Sequence, residues 1–414
     1  MDLSGSLFPS FSGTAFSYLS FFGLNQQQAS PDVNTNILPS DNDFLNNVPL
    51  AFEDVSITFV KDNLAVIPGE WVVGGIKTPF YDIQSDQSSF QDTLAQVKSK
   101  DFIAWDHSFF NIIGQQAKLE KIQSFEGEPP HVHEAPAYVP ETNELFYADT
   151  SVTGWLWAIN VDTHETRKVE TTPPLANVNG ARYHKGHIYL TTNGGPARGI
   201  YALNPLDGTA TPVVNNFRGR HFNSPNDLIF DFNSNIWFTD PPYGWYQGFP
   251  DVQVPELPNG IYFFNTKTKA LVAVSNSVVT TPNGLAFSND GSILYVADSN
   301  STAGRPLAFH PASLRNVWAF DVTGSILSNA RLVHQTESGW PDGLQVTQDG
   351  YVLVAVLGGV DVIDPYSGIL LGKINTPDDI IFNLERGPQQ GNQQMWLLTG
   401  QNYIYKLMMD LSER

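Results

Sequence analysis

One short pattern recurs six times along this chain, and a repeat constrains a fold more than any single motif because every copy must build the same unit. The pattern is a polar residue, then Gly, Asp or Ala, then an apolar residue, any residue, and an aromatic or valine. It is read at Glu134-Ala135-Pro136-Ala137-Tyr138, Asn179-Gly180-Ala181-Arg182-Tyr183, Asn226-Asp227-Leu228-Ile229-Phe230, Asn283-Gly284-Leu285-Ala286-Phe287, Asp342-Gly343-Leu344-Gln345-Val346 and Asp378-Asp379-Ile380-Ile381-Phe382. A second apolar run follows each copy, such as IWFTD (236 to 240) and LYVAD (294 to 298), and a third follows that, such as GIYFF (260 to 264). Turn clusters such as Ser288-Asn289-Asp290-Gly291 separate the first two runs. Short β-rich runs at this period describe propeller blades. The expectation is an all-β, six-bladed β-propeller.

The sixth unit ends near residue 407 with too little chain left for its outer strand. The run KLEKIQSF (118 to 125), with nothing else to pair with, is expected to supply it and close the ring. Residues 1–100 fit no blade and are read as an N-terminal extension, ordered in part around VSITFV and WVVGGI; residues 101–414 form the propeller.

Composition narrows the function. With 42 acidic against 22 basic residues the net charge is −20, so phosphate backbones are repelled, and neither nucleic acid nor anionic membrane is an expected partner. The absence of cysteine removes thiolate chemistry and Cys-ligated zinc. The first 30 residues carry no Lys or Arg and make a poorly formed signal peptide, which leaves the compartment open.

First strands of propeller blades line the central channel, so the six leading residues, Glu134, Asn179, Asn226, Asn283, Asp342 and Asp378, are expected to converge at one mouth. Carboxylates brought together repel unless a cation neutralises them, and a mix of carboxylate and amide oxygens selects a hard ion such as Ca2+, which takes six to eight oxygens at about 2.3–2.6 Å. The competing explanation is that Asn, Asp and Gly merely start strands. Asp240 and Asp298, which end second strands, return to the same mouth; Asp240 is read as a turn acceptor or a support to the ligands.

The stretches NSPND (223 to 227), IWFTDPPYG (236 to 244), TPNGLAFSNDG (281 to 291) and PDG (341 to 343) together resemble the SMP-30/gluconolactonase/regucalcin-like lactonases, with the paraoxonases as distant relatives. The resemblance spans about residues 118 to 410. It implies one calcium or other divalent ion in the channel, held by Glu134, Asn226, Asn283 and Asp342, with Asp342 also the acid/base residue. Two departures bear on substrate rather than reaction: Ser224 stands where the family's sugar lactonases carry Arg, and Asp378 where Asn is frequent.

The implied activity is metal-dependent lactone hydrolysis. His131 and His133 precede Glu134, and His133 is carried as a second catalytic candidate. Asn179 and Asn226 are candidates for substrate binding. The long insert 241–259 follows a second strand, and its Tyr243 and Trp245 are candidates for an apolar wall against the substrate. Arylesterase or phosphotriesterase chemistry on the same metal, and a non-enzymatic propeller binding a partner, remain as alternatives.

Overall fold

The computed structural model describes residues 44–410 apart from 62–63, 127–130, 151–152, 196–197, 250 and 275–277; the poorly formed signal-peptide candidate at the N-terminus lies outside the described residues. The architecture is all-β. Four strands in sequence order make each of four sheets. The first runs His133–Val139, Glu144–Asp149, Leu156–Asn160, Thr166–Val169; the second begins at Val178–His184, the third at Leu228–Phe230 and the fourth at Pro282–Phe287. The fifth and sixth share the long strand Ile369–Gln390. Its first half pairs with Val352–Asp364 through Val360↔Ile374 and Asp361↔Lys373, and its second half with Gln393–Gly400 through Leu384↔Leu398. Tyr403–Asp410 then pairs with Lys118–Ser124, with Leu407 opposite Leu119.

First strands of successive sheets touch, and the second half of Ile369–Gln390 returns to His133–Val139. The sequence explains how backbones approach so closely. A Cβ at Gly180 would lie 2.3 Å from the Asn226 carbonyl oxygen, and one at Gly284 would lie 2.3 Å from that of Asp342. Glycine after the polar residue therefore admits the next sheet's inner strand. Threonines of the second strands stitch this contact: Thr239 Oγ1 donates to the Asn283 carbonyl at 2.8 Å, and Thr191 Oγ1 donates to that of Asn226.

Alternating apolar residues fill the spaces between sheets. Trp237 is fully buried and meets Phe263 edge-on at 5.1 Å between ring centres, in a core that also takes Leu285 and Val296 of the next sheet. Removing such an aromatic typically costs about 3–5 kcal/mol.

The described residues between 44 and 117 pack onto the fifth sheet. Phe102–Ala104 adds to the outer edge of the fifth sheet, Gly372↔Ala104 to Ile374↔Phe102, and Ile57–Phe59 pairs parallel to it. A helix, Ser88–Lys98, buries Phe90, Leu94 and Val97, whose spacing of four and three places them on one face, against Phe44, Val60 and Tyr81. Residues read as an extension thus supply the added strand Ile57–Phe59 and most of a small core, while Phe102–Ala104 falls within the stretch read as propeller.

Candidate active site

The first-strand starts open into a single cavity of about 790 Å³, its open mouth included. Glu134, Asn179, Asn226, Asn283 and Asp342 all line it, and so does Tyr243. Each of these polar side chains comes from a different sheet and is buried.

Their hydrogen bonds fix them. Trp340 Nε1 donates to Asp342 Oδ2 at 3.0 Å. Asn283 Nδ2 donates to Ser299 Oγ at 3.1 Å and lies 3.5 Å from the Tyr243 hydroxyl. Asn383 Nδ2 reaches Glu134 Oε2 at 3.3 Å, and Asn193 Nδ2 donates to Asn179 Oδ1 at 2.6 Å.

The two carboxyls strain against burial and each other. Burial, with the Asp227 charge adding to it, pushes Asp342 up to about 7 despite hydrogen bonds from Trp340 and Asn283. Burial and then the neighbouring Asp342 charge raise Glu134 well above the usual carboxylate range. Groups in this state are suited to a cation, which would stabilise both as carboxylates. The donor set of two carboxylates and two amides, Glu134, Asp342, Asn226 and Asn283, fits a hard divalent ion.

Below the ring a second polar layer fills the channel. Arg182 places Nη1 3.0 Å from Glu385 Oε2 and Nη2 3.7 Å from Asp227 Oδ2. Asp227 stands where the second, fourth and fifth inner strands carry Gly180, Gly284 and Gly343, so this layer shows in the repeat as a break in its second position.

Asp378 does not join the ring. Its side chain is 75% exposed and pairs with Lys98 at 2.9 Å. The inner strand of the sixth sheet starts later in the sequence: the Gly343 N–H donates to the Phe382 carbonyl at 2.8 Å, and Phe382 lines the cavity. The sixth copy was aligned on an Asp-Asp pair four residues too early, because Ile380 and Phe382 both satisfy an apolar alternation. The sixth ring position is apolar.

His133 does not line the cavity. Its Nδ1 lies 2.7 Å from the Gly400 carbonyl oxygen, and its ring stacks on Phe125 at 4.1 Å. Burial lowers it to about 4, so it is neutral near pH 7. Strand alternation explains the miss: His133 pairs with Asp149 and faces away from the channel that Glu134 enters. His131, His133 and Asp149 bring ligand atoms within 4.8 Å of one another in the seam beside the closing strand. Trp245 is also absent from the lining; the Arg305 guanidinium covers its ring at 4.0 Å.

Besides Tyr243, the apolar wall comes from elsewhere. Leu307 and Phe309 of the 299–315 insert, Trp340, Ile380 and Phe382 provide it, and Lys77 reaches the lining from the N-terminal segment. No repeat position flags Lys77, Leu307, Phe309 or Trp340.

Asp240 answers its bracketing of the third sheet. Its oxygens accept the N–H groups of Asn223 at 2.9 Å and Ser224 at 2.7 Å. Asp298 holds Thr280 and Thr281 in the same way, at 2.8 and 3.0 Å. These aspartates clamp the loop that enters the inner strand, and so position Asn226 and Asn283, which follow.

The sequence matches the SMP-30/gluconolactonase/LRE-like region over residues 132–392. The chain belongs to this family. Lactonohydrolase oryL of Aspergillus oryzae is 31% identical over 306 residues, covering 67% of this chain and 68% of that protein. Lactonohydrolase oryH of the same organism is 26% identical over 358 residues, covering 68% and 75%. Among solved structures, a gluconolactonase from Xanthomonas campestris superposes with a TM-score of 0.62 at 26% identity, over 74% of this chain and 94% of that one. Among the described residues, no helix is long and apolar enough to cross a membrane.

Proposed function

We propose that this protein is a metal-dependent lactone hydrolase built on a closed six-bladed propeller that begins near residue 101, with Lys118–Ser124 as the outer strand of the last blade. The reading is carried by one observation: Glu134, Asn226, Asn283 and Asp342, from four sheets, line one cavity in which burial raises the proton affinity of both carboxyls and the Asp342 charge raises that of Glu134 further. The family and its lactonohydrolase and gluconolactonase members support the reaction class.

Those four residues would hold a divalent cation, most suitably calcium, which when bound supplies Lewis acidity toward the lactone carbonyl. The remaining work falls to the chain. Trp340 occupies Asp342 Oδ2, so proton traffic falls to Oδ1. There Asp342 accepts a proton from the attacking water as it adds to the carbonyl carbon, and returns it to the ring oxygen as the acyl C–O bond breaks. The product is a hydroxy acid. Asn179 and Asn226 present amides to the polar side of the substrate, and Tyr243, hydrogen-bonded toward Asn283, borders it.

A panel of aliphatic lactones, aryl acetates and phosphotriesters, assayed with and without chelator on the wild type and Asp342→Asn, tests the proposal. It requires lactones to be the best substrates, with turnover lost in both the chelated protein and the variant. Unchanged lactone turnover after chelation contradicts it, and faster turnover of aryl acetates or phosphotriesters moves the reaction class.

A further inference from the structure

Lys77 reaches the cavity from outside the repeat and outside the 132–392 family region. It lies between the short strands Trp71–Val72 and Gln84–Ser85, which pair with each other. Two backbone contacts fasten this strap beside the mouth: the Gly339 N–H donates to the Ile76 carbonyl at 2.7 Å, and the Phe80 N–H to Glu337 Oε2 at 3.0 Å.

The position of the ammonium is specific. Lys77 Nζ is 4.0 Å from the centre of the Phe309 ring and 5.8 Å from that of Trp340, and these two rings stack at 5.7 Å and 20°. Among the residues lining the cavity it is the one Lys or Arg. Burial lowers its proton affinity, and among the described residues no carboxylate pairs with it. A cation on an aromatic pair, without an acidic partner, leaves its remaining donors for a ligand.

The same Trp340 ring that flanks Lys77 donates through Nε1 to Asp342. The cavity is therefore graded along one indole. A fixed cation stands at one end and the acid/base carboxyl at the other, with Leu307, Ile380 and Phe382 in the wall. A neutral polyol would make poor use of either the ammonium or the apolar wall. An anion arriving at a protein of net charge −20 would need such a receptor.

We propose that Lys77 receives a carboxylate borne by the substrate, so that the preferred substrate is an anionic lactone whose carboxylate is separated from the ring by an apolar span. This rests on the lactonase reading and specifies its substrate class. The ion pair forms on binding and persists through the reaction, so its effect falls on KM rather than kcat.

The test uses 5-substituted γ-butyrolactones with ω-carboxyalkyl chains of increasing length, each paired with its methyl ester, on the full-length calcium-loaded protein. The expected result is an acid KM about tenfold below the ester KM at the best chain length, with similar kcat values. Lys77→Met brings the acid KM up to that of the ester, whereas Lys77→Arg keeps the preference. If the esters turn over and the acids show no lower KM, or if the preference survives in Lys77→Met, the inference is overturned while the lactonase reading stands. If neither acids nor esters turn over, both fail together.

Discussion

The cavity has two ends with different origins. Its oxygen end is supplied by inner strands of successive sheets: Glu134, Asn179, Asn226, Asn283 and Asp342 occupy equivalent starts. Its other end is supplied by parts that follow no repeat: Lys77 from the N-terminal strap, Leu307 and Phe309 from an insert, and Trp340 from the approach to the fifth inner strand. Repetition fixes convergence, because backbone contacts such as Gly180 against Asn226 and Gly284 against Asp342 hold the starts at one depth. The other end is free of that constraint. On the proposed reading, chemistry is tied to the repeat, and substrate choice to what is laid over it.

The largest effect that would break this division is at Asp342. Asp342→Asn keeps the shape and one oxygen but removes the proton acceptor, and kcat on a lactone is expected to fall about 10²–10⁴-fold with the circular dichroism spectrum unchanged. Retained turnover would move the chemistry out of the oxygen end. Next is Glu134→Gln, which is expected to raise the calcium concentration for half-maximal activity about 10–100-fold, measured by metal titration of chelator-treated protein.

A pH series sharpens the comparison further. Asp342 in the folded, metal-free protein is raised to about 7 from an ordinary value of 3.8, and Glu134 is raised with it. The Asp342 contribution to stability is therefore complete below the unfolded value and is lost as pH rises through about 7, and that of Glu134 is likewise lost as pH rises. The melting temperature of chelated protein should fall over that interval, and saturating calcium should flatten the fall. A fall of the same size with calcium present would place the titrating carboxyls elsewhere. The smallest effect belongs to Trp245→Ala. With its ring under Arg305 and away from the lining, KM for a lactone should change less than about twofold, within the range of ordinary surface substitutions.

The sequence carried the repeat, and with it the oxygen end, because the constraint is local: a polar residue at the start of an apolar run, five times in register, followed by a small residue in four of the five. It failed at the sixth. There Asp378-Asp379 imitates the pattern, while the true inner strand opens on Phe382 and places Asn383 against Glu134. A one-dimensional alternation cannot choose between two registers four residues apart when both keep apolar residues on one side. His133 was misjudged for a related reason. Adjacency to Glu134 suggested a shared site, but neighbours on a strand face opposite ways, and His133 turns into the seam against Phe125 and the Gly400 carbonyl. Tyr243 and Trp245 sit in one short helix, Tyr243–Tyr246, and only Tyr243 faces the cavity. Lys77 left no local signal at all, since its role depends on a tertiary contact between the strap and residue 339.

The central claim is that oxygens from separate sheets meet on one divalent cation that the lactonase reaction requires. Calorimetric titration of calcium chloride into chelator-treated protein, with lactone turnover followed in the same samples, tests it most directly. The account predicts one cation bound per chain, turnover restored in step with binding, and both strongly weakened in Glu134→Gln. Full turnover before any calcium is added, with no heat of binding, would contradict it.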